Sequence, residues 1–219
     1  MTVNSLGFVT LDISTLCYTF VYALQIIHNL RENSIIGLSF LFHALLLIAA
    51  TCDLCYGFVL INQWQYRLVS ADVFLCLLVQ HIHLFCVHRD NRSMLIKLYG
   101  LTCVVVFMFF SCFCAYFFSY KQNLIAITFG WLERFCYLIY VVPQIMKNFK
   151  NNGFSQSISP YYISLMLFLC LCDSISAWCL RWAAPSLYGA PVAFALHCLL
   201  FFQVMRYVKH TKCTGVSSG

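Results

Sequence analysis

Residues 143–150 read Pro-Gln-Ile-Met-Lys-Asn-Phe-Lys, and residues 24–31 read Leu-Gln-Ile-Ile-His-Asn-Leu-Arg. Both stretches contain a Gln-Ile pair, an asparagine four residues after the glutamine, and then an apolar and a basic residue. A short loop follows each stretch, and an apolar residue and a serine open the next apolar segment, at Leu38-Ser39 and Ile158-Ser159. The match predicts an internal repeat of the parallel kind found in some transporter folds.

The two serines set the register of this repeat. With one residue inserted in the second loop, Ser39 aligns with Ser159, and Asp53 then falls on Asp173. The alignment was fixed at the serines alone, so the agreement of the two aspartates is independent support for it. We therefore predict two parallel repeats of three helices each.

The composition around the two motifs is that of a membrane protein. Of the 219 residues, 62% are hydrophobic and 9% are charged, and the mean hydropathy is +0.83. Soluble domains carry about a quarter charged residues, so lipid is the solvent that suits this chain. Seven apolar segments are each long enough, or nearly so, to cross a bilayer, at about 7–27, 38–61, 68–87, 98–118, 124–146, 161–182 and 188–208.

These segments give an all-α membrane protein with a 3+1+3 arrangement as the predicted fold. We expect a single transmembrane domain, with repeat one over about 7–88, a linker helix over 98–118, repeat two over 124–208 and a short cytoplasmic tail over 209–219. The first segment lacks a basic n-region and a small-residue cleavage site, so we interpret it as a helix of the mature chain.

Loop charges predict the orientation of the helices. One face carries most of the basic residues, and the opposite face carries only Arg67, Lys121 and Arg181. The residues of the richer face are Arg31, Arg89, Arg92, Lys97, Lys147, Lys150, Arg206, Lys209 and Lys212. We therefore expect a lumenal or extracellular N-terminus and a cytoplasmic C-terminus, which requires an odd number of helices.

The Val142-Pro143-Gln144 motif, the basic loop with an asparagine and the Ser-led helix resemble the PQ-loop family. That family includes cystinosin, the lysosomal cationic amino-acid transporters and, more distantly, SWEET sugar transporters and KDEL receptors. The resemblance implies a 3+1+3 bundle and transport of a small solute. Gln25 carries the motif in the first helix, but Leu24 stands where the family has proline.

Proline within a helix removes one hydrogen bond and clashes one turn back, so it kinks the helix. By resemblance, Pro143 would be a hinge that opens and closes a central cavity, although a static kink is the alternative. Gln144 lies beside it and could donate a hydrogen bond to the carbonyl that the proline leaves free.

Five acidic residues fall within the predicted segments, in the half of the bundle expected to face the lumen: Asp12, Asp53, Asp72, Glu133 and Asp173. Acids within a membrane usually line a cavity or have a partner, and burial disfavours their charged form. Asp53, Asp173 and Glu133 are thus candidates for proton coupling. The alternative is a structural ion pair with Arg134, and Glu133 and Arg134 are expected to need different partners because they point about 100° apart on a helix.

These observations favour a proton-coupled transporter of a small polar solute, and the resemblance implies an amino acid. We expect the protein in an endolysosomal or vacuolar membrane, or in the inner membrane of a bacterium. A KDEL-receptor-like peptide receptor and a lipid-handling protein remain alternatives, and the first would need Arg134 or Arg181 in the cavity. We expect no enzyme activity, metal site, cofactor or nucleic-acid partner, since no catalytic or ligand motif has a suitable context. The cysteines lie in apolar segments, where cysteine behaves as a small hydrophobic residue.

Overall fold

The computed structural model describes residues 3–32, 38–60, 64–118, 122–150, 157–182 and 184–214. This part of the chain is helical and contains no strand. Its helices are α1 (Val3–Glu32), α2 (Phe40–Leu60), α3 (Trp64–Val87), α4 (Arg92–Phe118), α5 (Gln122–Ile139), α6 (Val141–Lys150), α7 (Pro160–Cys179) and α8 (Ala184–Thr214).

Seven stretches of the described helices are long and apolar enough to cross a membrane, because α5 and α6 together form one span, Leu124–Lys150. The predicted count of seven is therefore confirmed. The last joint was placed wrongly. Pro185 and Pro191 were expected to lie on either side of it, but both lie within α8, which begins at Ala184. Pro185 lies in the first turn, where the missing N–H of proline has no partner to lose, and Pro191 lies inside the helix.

In the packing of the two repeats, the first helix of each repeat contacts the second helix of the other. The first helix of repeat one, α1, packs most extensively against α7, and the second helix, α2, packs against α5. The most buried span is α2, and the least buried is α4, which lies against α2, α3 and α5 as the linker. This arrangement confirms the predicted 3+1+3 fold. The domain boundaries that we proposed from the sequence stay predictions.

The α2–α5 contact requires a glycine. A Cβ atom at Gly130 of α5 would lie 2.8 Å from the ring of Tyr56 on α2, closer than real Cβ contacts come. Tyr56 is 1% exposed, so its ring has little room to move away. Gly130 thus allows the two helices to approach closely at the centre of the bundle.

The fifth span is interrupted three residues before its proline. Helix α5 ends at Ile139, Tyr140 forms a turn, and α6 begins at Val141. Pro143 has no N–H to donate to the carbonyl of Ile139, one turn back, which explains the break at this point. Helix α1 has Leu24 at the matching position and runs without interruption from Val3 to Glu32.

Candidate functional site

The glutamine of the first motif bonds to the second repeat. Gln25 donates from Nε2 to Asn29 Oδ1 at 2.8 Å and to the carbonyl oxygen of Ser157 at 3.0 Å. Its Oε1 accepts a hydrogen bond from the backbone N–H of Ser159 at 3.1 Å. Ser159 is the residue that caps α7, since its Oγ accepts from the N–H of Tyr162 at 3.4 Å.

The glutamine of the second motif donates within its own repeat and makes one reciprocal contact with the first repeat. Gln144 donates from Nε2 to Asn148 Oδ1 at 2.9 Å and to Ser157 Oγ at 3.0 Å. Its Oε1 accepts from the backbone N–H of Ser39 at 3.1 Å. Ser39 precedes α2, and its Oγ accepts from the N–H of Phe42 at 3.5 Å.

We call these seven residues the glutamine network: Gln25, Asn29, Ser39, Gln144, Asn148, Ser157 and Ser159. In an ordinary capping box, a Gln or Glu three residues into a helix bonds the N–H of its own cap residue. Here the glutamine that completes each box comes from the other repeat. Gln144 was expected to satisfy the carbonyl that Pro143 frees, but that expectation is wrong, because its amide donates to Asn148 and Ser157 instead.

The glutamine network extends to neighbouring elements. Asn148 donates from Nδ2 to Gln203 Oε1 on α8 at 3.0 Å, and Lys147 donates from Nζ to the carbonyl of Leu38 at 3.3 Å. The two glutamines and two asparagines of the network are at most 5% exposed. These four side chains are therefore shielded from solvent. Gly37, which aligns with Ser157, lies outside the described residues.

A central cavity lies between the two repeats, on the other side of the bundle from the glutamine network. Its volume is about 70 Å³, room for several water molecules. Along each contributing helix, the lining residues are displaced from the network in the same direction. The polar and aromatic lining residues are Ser14, Tyr18, Tyr22, Asp53, Tyr66, Glu133, Arg134, Tyr137, Tyr140, Asp173, Trp182 and His197.

The symmetry-related aspartates both face this cavity, and both are held by a serine and a tyrosine. Asp173 accepts hydrogen bonds from Ser14 Oγ at 2.5 Å and from Tyr18 Oη at 2.8 Å, both on α1. Asp53 accepts from Ser70 Oγ at 2.7 Å and from Tyr66 Oη, both on α3. In each pair the serine and tyrosine are four residues apart, so they lie on one face of their helix.

Glu133 and Arg134 form an ion pair with each other, with Arg134 Nε 3.1 Å from Glu133 Oε2. The expectation that they need different partners is therefore wrong. Their Cα–Cβ bonds diverge on α5, but the long arginine side chain bends back to its neighbour. Glu133 is 1% exposed, and among the described residues neither of its oxygens has a hydrogen bond of good geometry.

Room for the arginine comes from a glycine on α8. A Cβ atom at Gly189 would lie 2.6 Å from Cδ of Arg134, so a larger residue there would displace the side chain. Arg181, the other candidate cation, does not line the cavity and is exposed.

The register of the repeat gives Glu133 a counterpart in the first repeat. Counting eleven residues back from Gln25 and from Gln144 reaches Ser14 and Glu133. Ser14 is the residue that bonds Asp173 across the α1–α7 contact. Repeat two therefore has a third carboxyl group where repeat one has a hydroxyl.

The residue at the break between α5 and α6 also lines the cavity. Tyr140, the turn residue, has its Oη 2.5 Å from His197 Nε2 on α8. His197 Nδ1 lies 2.7 Å from the carbonyl of Ala193 and must donate to it, so Nε2 accepts and the tyrosine O–H donates. This hydrogen bond connects the turn in the fifth span to the last helix.

The remaining predicted acids lie apart from the cavity. Asp12 is exposed and accepts a hydrogen bond from Gln65 Nε2 at 3.2 Å, and Asp72 does not line the cavity. The sequence interpretation missed the hydroxyl partners of the aspartates and the tyrosine–histidine pair. The four-residue spacing of Ser14 with Tyr18, and of Tyr66 with Ser70, was the available signal.

Comparison with known proteins agrees with this description. Residues 6–66 match the family model of the PQ loop repeat. The fold is similar to that of a eukaryotic SWEET transporter of known structure, with a TM-score of 0.70 and 14% sequence identity over 94% of this chain and 99% of that one. No curated protein matches the sequence significantly. With seven stretches long and apolar enough to cross a membrane, the chain is a multi-pass membrane protein that matches the PQ loop repeat over residues 6–66 and has a SWEET-like fold.

Proposed function

We propose that this protein is a proton-coupled transporter that moves a small polar solute, an amino acid, out of an acidic lumen. The observation that carries the proposal is the central cavity, a charged space between two repeats that the glutamine network joins. A site at the interface of two repeats is the usual location of the substrate in transporters built from repeats.

The charges in the cavity support an amino acid as the solute. Asp53, Glu133 and Asp173 are acidic and Arg134 is basic, so both charge signs line one small space. A zwitterion can place its ammonium group against a carboxylate and its carboxylate against the guanidinium, which binds carboxylates well. A sugar would leave these charges without a matching partner.

The same carboxyl groups support coupling to protons. Asp53 and Asp173 each accept two hydrogen bonds from hydroxyl groups, which stabilise a charged carboxylate. Glu133 has no such hydroxyl donor among the described residues. It is therefore the carboxyl group that we propose takes up and releases the proton.

Uptake into proteoliposomes tests the function. The purified protein would be reconstituted and offered radiolabelled amino acids and sugars, with and without a pH gradient that is acidic on the substrate side. We expect accumulation of one or a few amino acids that a pH gradient stimulates and a protonophore abolishes. Sugar uptake alone would contradict the proposed substrate, and equal uptake with and without the gradient would contradict the coupling.

Glu133→Gln tests the role of the carboxyl group. If Glu133 carries the proton, the variant folds and exchanges substrate, but proton-driven accumulation is lost. If Glu133 is only half of a structural pair, the variant leaves a buried cation without its partner, which typically costs about 3–5 kcal/mol. The double variant Glu133→Gln/Arg134→Gln separates the two, because it would restore stability only in the structural case.

A peptide-binding receptor is the second candidate, because Arg134 lines the cavity and could bind a carboxylate. The three acidic residues of the cavity, Asp53, Glu133 and Asp173, oppose this, since they would repel an acidic tail that carries no ammonium group. Calorimetry with peptides that end in acidic residues would decide between the two, as binding without transport would favour the receptor.

A further inference from the structure

A second space in the molecule faces outward, between α2, α3 and α4. It is a groove of about 620 Å³, within the usual size range of ligand sites. We call it the outer groove, and its lining residues are apolar: Leu54, Cys55, Phe58, Val59, Ala71, Phe74, Leu75, Phe109, Cys112 and Phe113. Phe58, Leu75 and Phe113 are each more than half exposed, so the groove opens on the outside of the bundle.

The outer groove runs inward from the joint between α2 and α3. Its α2 residues lie in the last two turns of that helix, and its α3 residues begin one turn after Arg67. Trp64 begins α3 and is 65% exposed, as is typical of tryptophan at a membrane interface. One end of the groove is thus at the membrane surface, and its apolar walls extend into the hydrocarbon layer.

A positive charge lies at the surface end. The guanidinium carbon of Arg67 is 5.8 Å from the ring centre of Phe58, which lines the groove, and Nε donates to the carbonyl of Gly57 at 3.3 Å. These contacts hold the cation at the groove entrance. Arginine so placed is suited to a phosphate group, which it binds by charge and by hydrogen bonds.

From this arrangement we propose that the outer groove is a binding site for a phospholipid of the surrounding bilayer. The phosphate of the headgroup lies near Arg67, and an acyl chain fills the space between α2, α3 and α4. The site is separate from the central cavity and does not depend on the proposed transport function. Within the groove the rings of Phe74 on α3 and Phe109 on α4 touch, with centroids 5.1 Å apart. The two helices otherwise make few contacts, so an acyl chain in the groove packs against both of them.

Photocrosslinking tests the proposal. The protein would be placed in nanodiscs that contain a phospholipid with a diazirine on its acyl chain, and crosslinked residues would be identified by mass spectrometry. Every lipid-facing residue reacts to some degree, so Phe107 and Phe202, exposed by 69% and 68% outside the groove, give the background. We expect Phe58, Leu75 and Phe113 to react several-fold more than this background.

Two variants separate a specific site from general lipid contact. Arg67→Gln should lower crosslinking in the groove several-fold and leave Phe107 and Phe202 unchanged, whereas Lys97→Gln, which removes a cation elsewhere, should change neither. Ala71→Phe fills the groove and should abolish its crosslinks with Arg67 intact. Labelling at the background level, insensitivity to Arg67→Gln, or preferential labelling by a diazirine sterol without phosphate would overturn the proposal. Crosslinks from the groove to a second copy of the chain would overturn it too.

Discussion

Two regions of this molecule carry the same short motif and have different backbones. Around Gln25 the chain is one continuous helix, whereas around Gln144 it is divided at Tyr140 into α5 and α6. Both glutamines nevertheless donate to the asparagine one turn later and accept from the cap of a helix in the other repeat. The glutamine network therefore does not need the proline, which affects the helix alone.

This comparison assigns separate roles to the two residues of the motif. The glutamine joins the repeats at one end of the bundle, and the proline determines whether the helix is continuous in the turn before it. Repeat two thus has a place to bend beside the central cavity, at Tyr140, and repeat one has none. We expect motion of repeat two against a stiffer repeat one. Four sets of variants test the comparison of the two repeats, and they follow in order of their expected effect on stability.

Leu24→Pro should have the largest effect, because it places a proline in the continuous helix. Its ring would clash with the carbonyl of Phe20 and remove one hydrogen bond, at a cost of about 3 kcal/mol. Thermal unfolding in detergent would measure the loss, with Leu24→Ala as the matched control that should change little. A fully stable Leu24→Pro would show that the two regions are interchangeable.

Gln25→Leu and Gln144→Leu should each cost about 2 kcal/mol, because each leaves a buried cap N–H, that of Ser159 or Ser39, without its acceptor. Since each glutamine accepts from the cap of the other repeat, the two variants should lower the melting temperature to a similar extent. A loss in one variant only would mean that the glutamine network depends on one of its halves.

Asp53→Asn and Asp173→Asn compare the two acidic sites of the cavity. Each change replaces one charged acceptor by an amide that can accept only through its oxygen, so we expect each to cost about 1 kcal/mol. Ser70→Ala and Ser14→Ala remove one donor apiece and are the matched controls. If Asp173→Asn were much the more damaging, an ion pair with Arg134 would be holding it, and the hydroxyl contacts would be secondary.

Pro143→Ala should have the smallest effect on stability, at most about 1 kcal/mol, since alanine suits both a bent and a straight helix. Its effect should appear in transport. We expect turnover to fall several-fold while the affinity for substrate stays the same, because alanine allows α5 and α6 to join and stiffens the moving part. Transport at the wild-type rate would identify the proline as a static kink.

The parts of the fold that follow from local patterns were predictable. The shared Gln-Ile-x-x-Asn pattern and the serines that open α2 and α7 indicated the repeat, and the apolar segments indicated the number of spans. These features depend on residues close in sequence, such as the cap formed by Ser159 and Pro160. The glutamine contacts between the repeats were not predictable in the same way, because they join residues more than a hundred positions apart.

The partners within the cavity depended on tertiary structure. Whether Asp173 met a cation or a hydroxyl was decided by the position of α1 beside α7, which no local signal gives. The Glu133–Arg134 pair was missed for another reason. The direction of Cα–Cβ bonds on a helix predicts contacts of short side chains, but arginine is long enough to reach an adjacent residue.

The crossed contacts of the glutamine network have a consequence for the order in which the protein assembles. Synthesis delivers α1, α2 and α3 before Gln144 exists, so the N–H of Ser39 must bond to water at the membrane surface until the fifth span has been inserted. Helices α1 and α2 likewise receive their main packing partners, α7 and α5, from the later half of the chain. A ribosome paused after α3 would therefore hold an incomplete structure, and the first half of this protein matures only when the second half arrives.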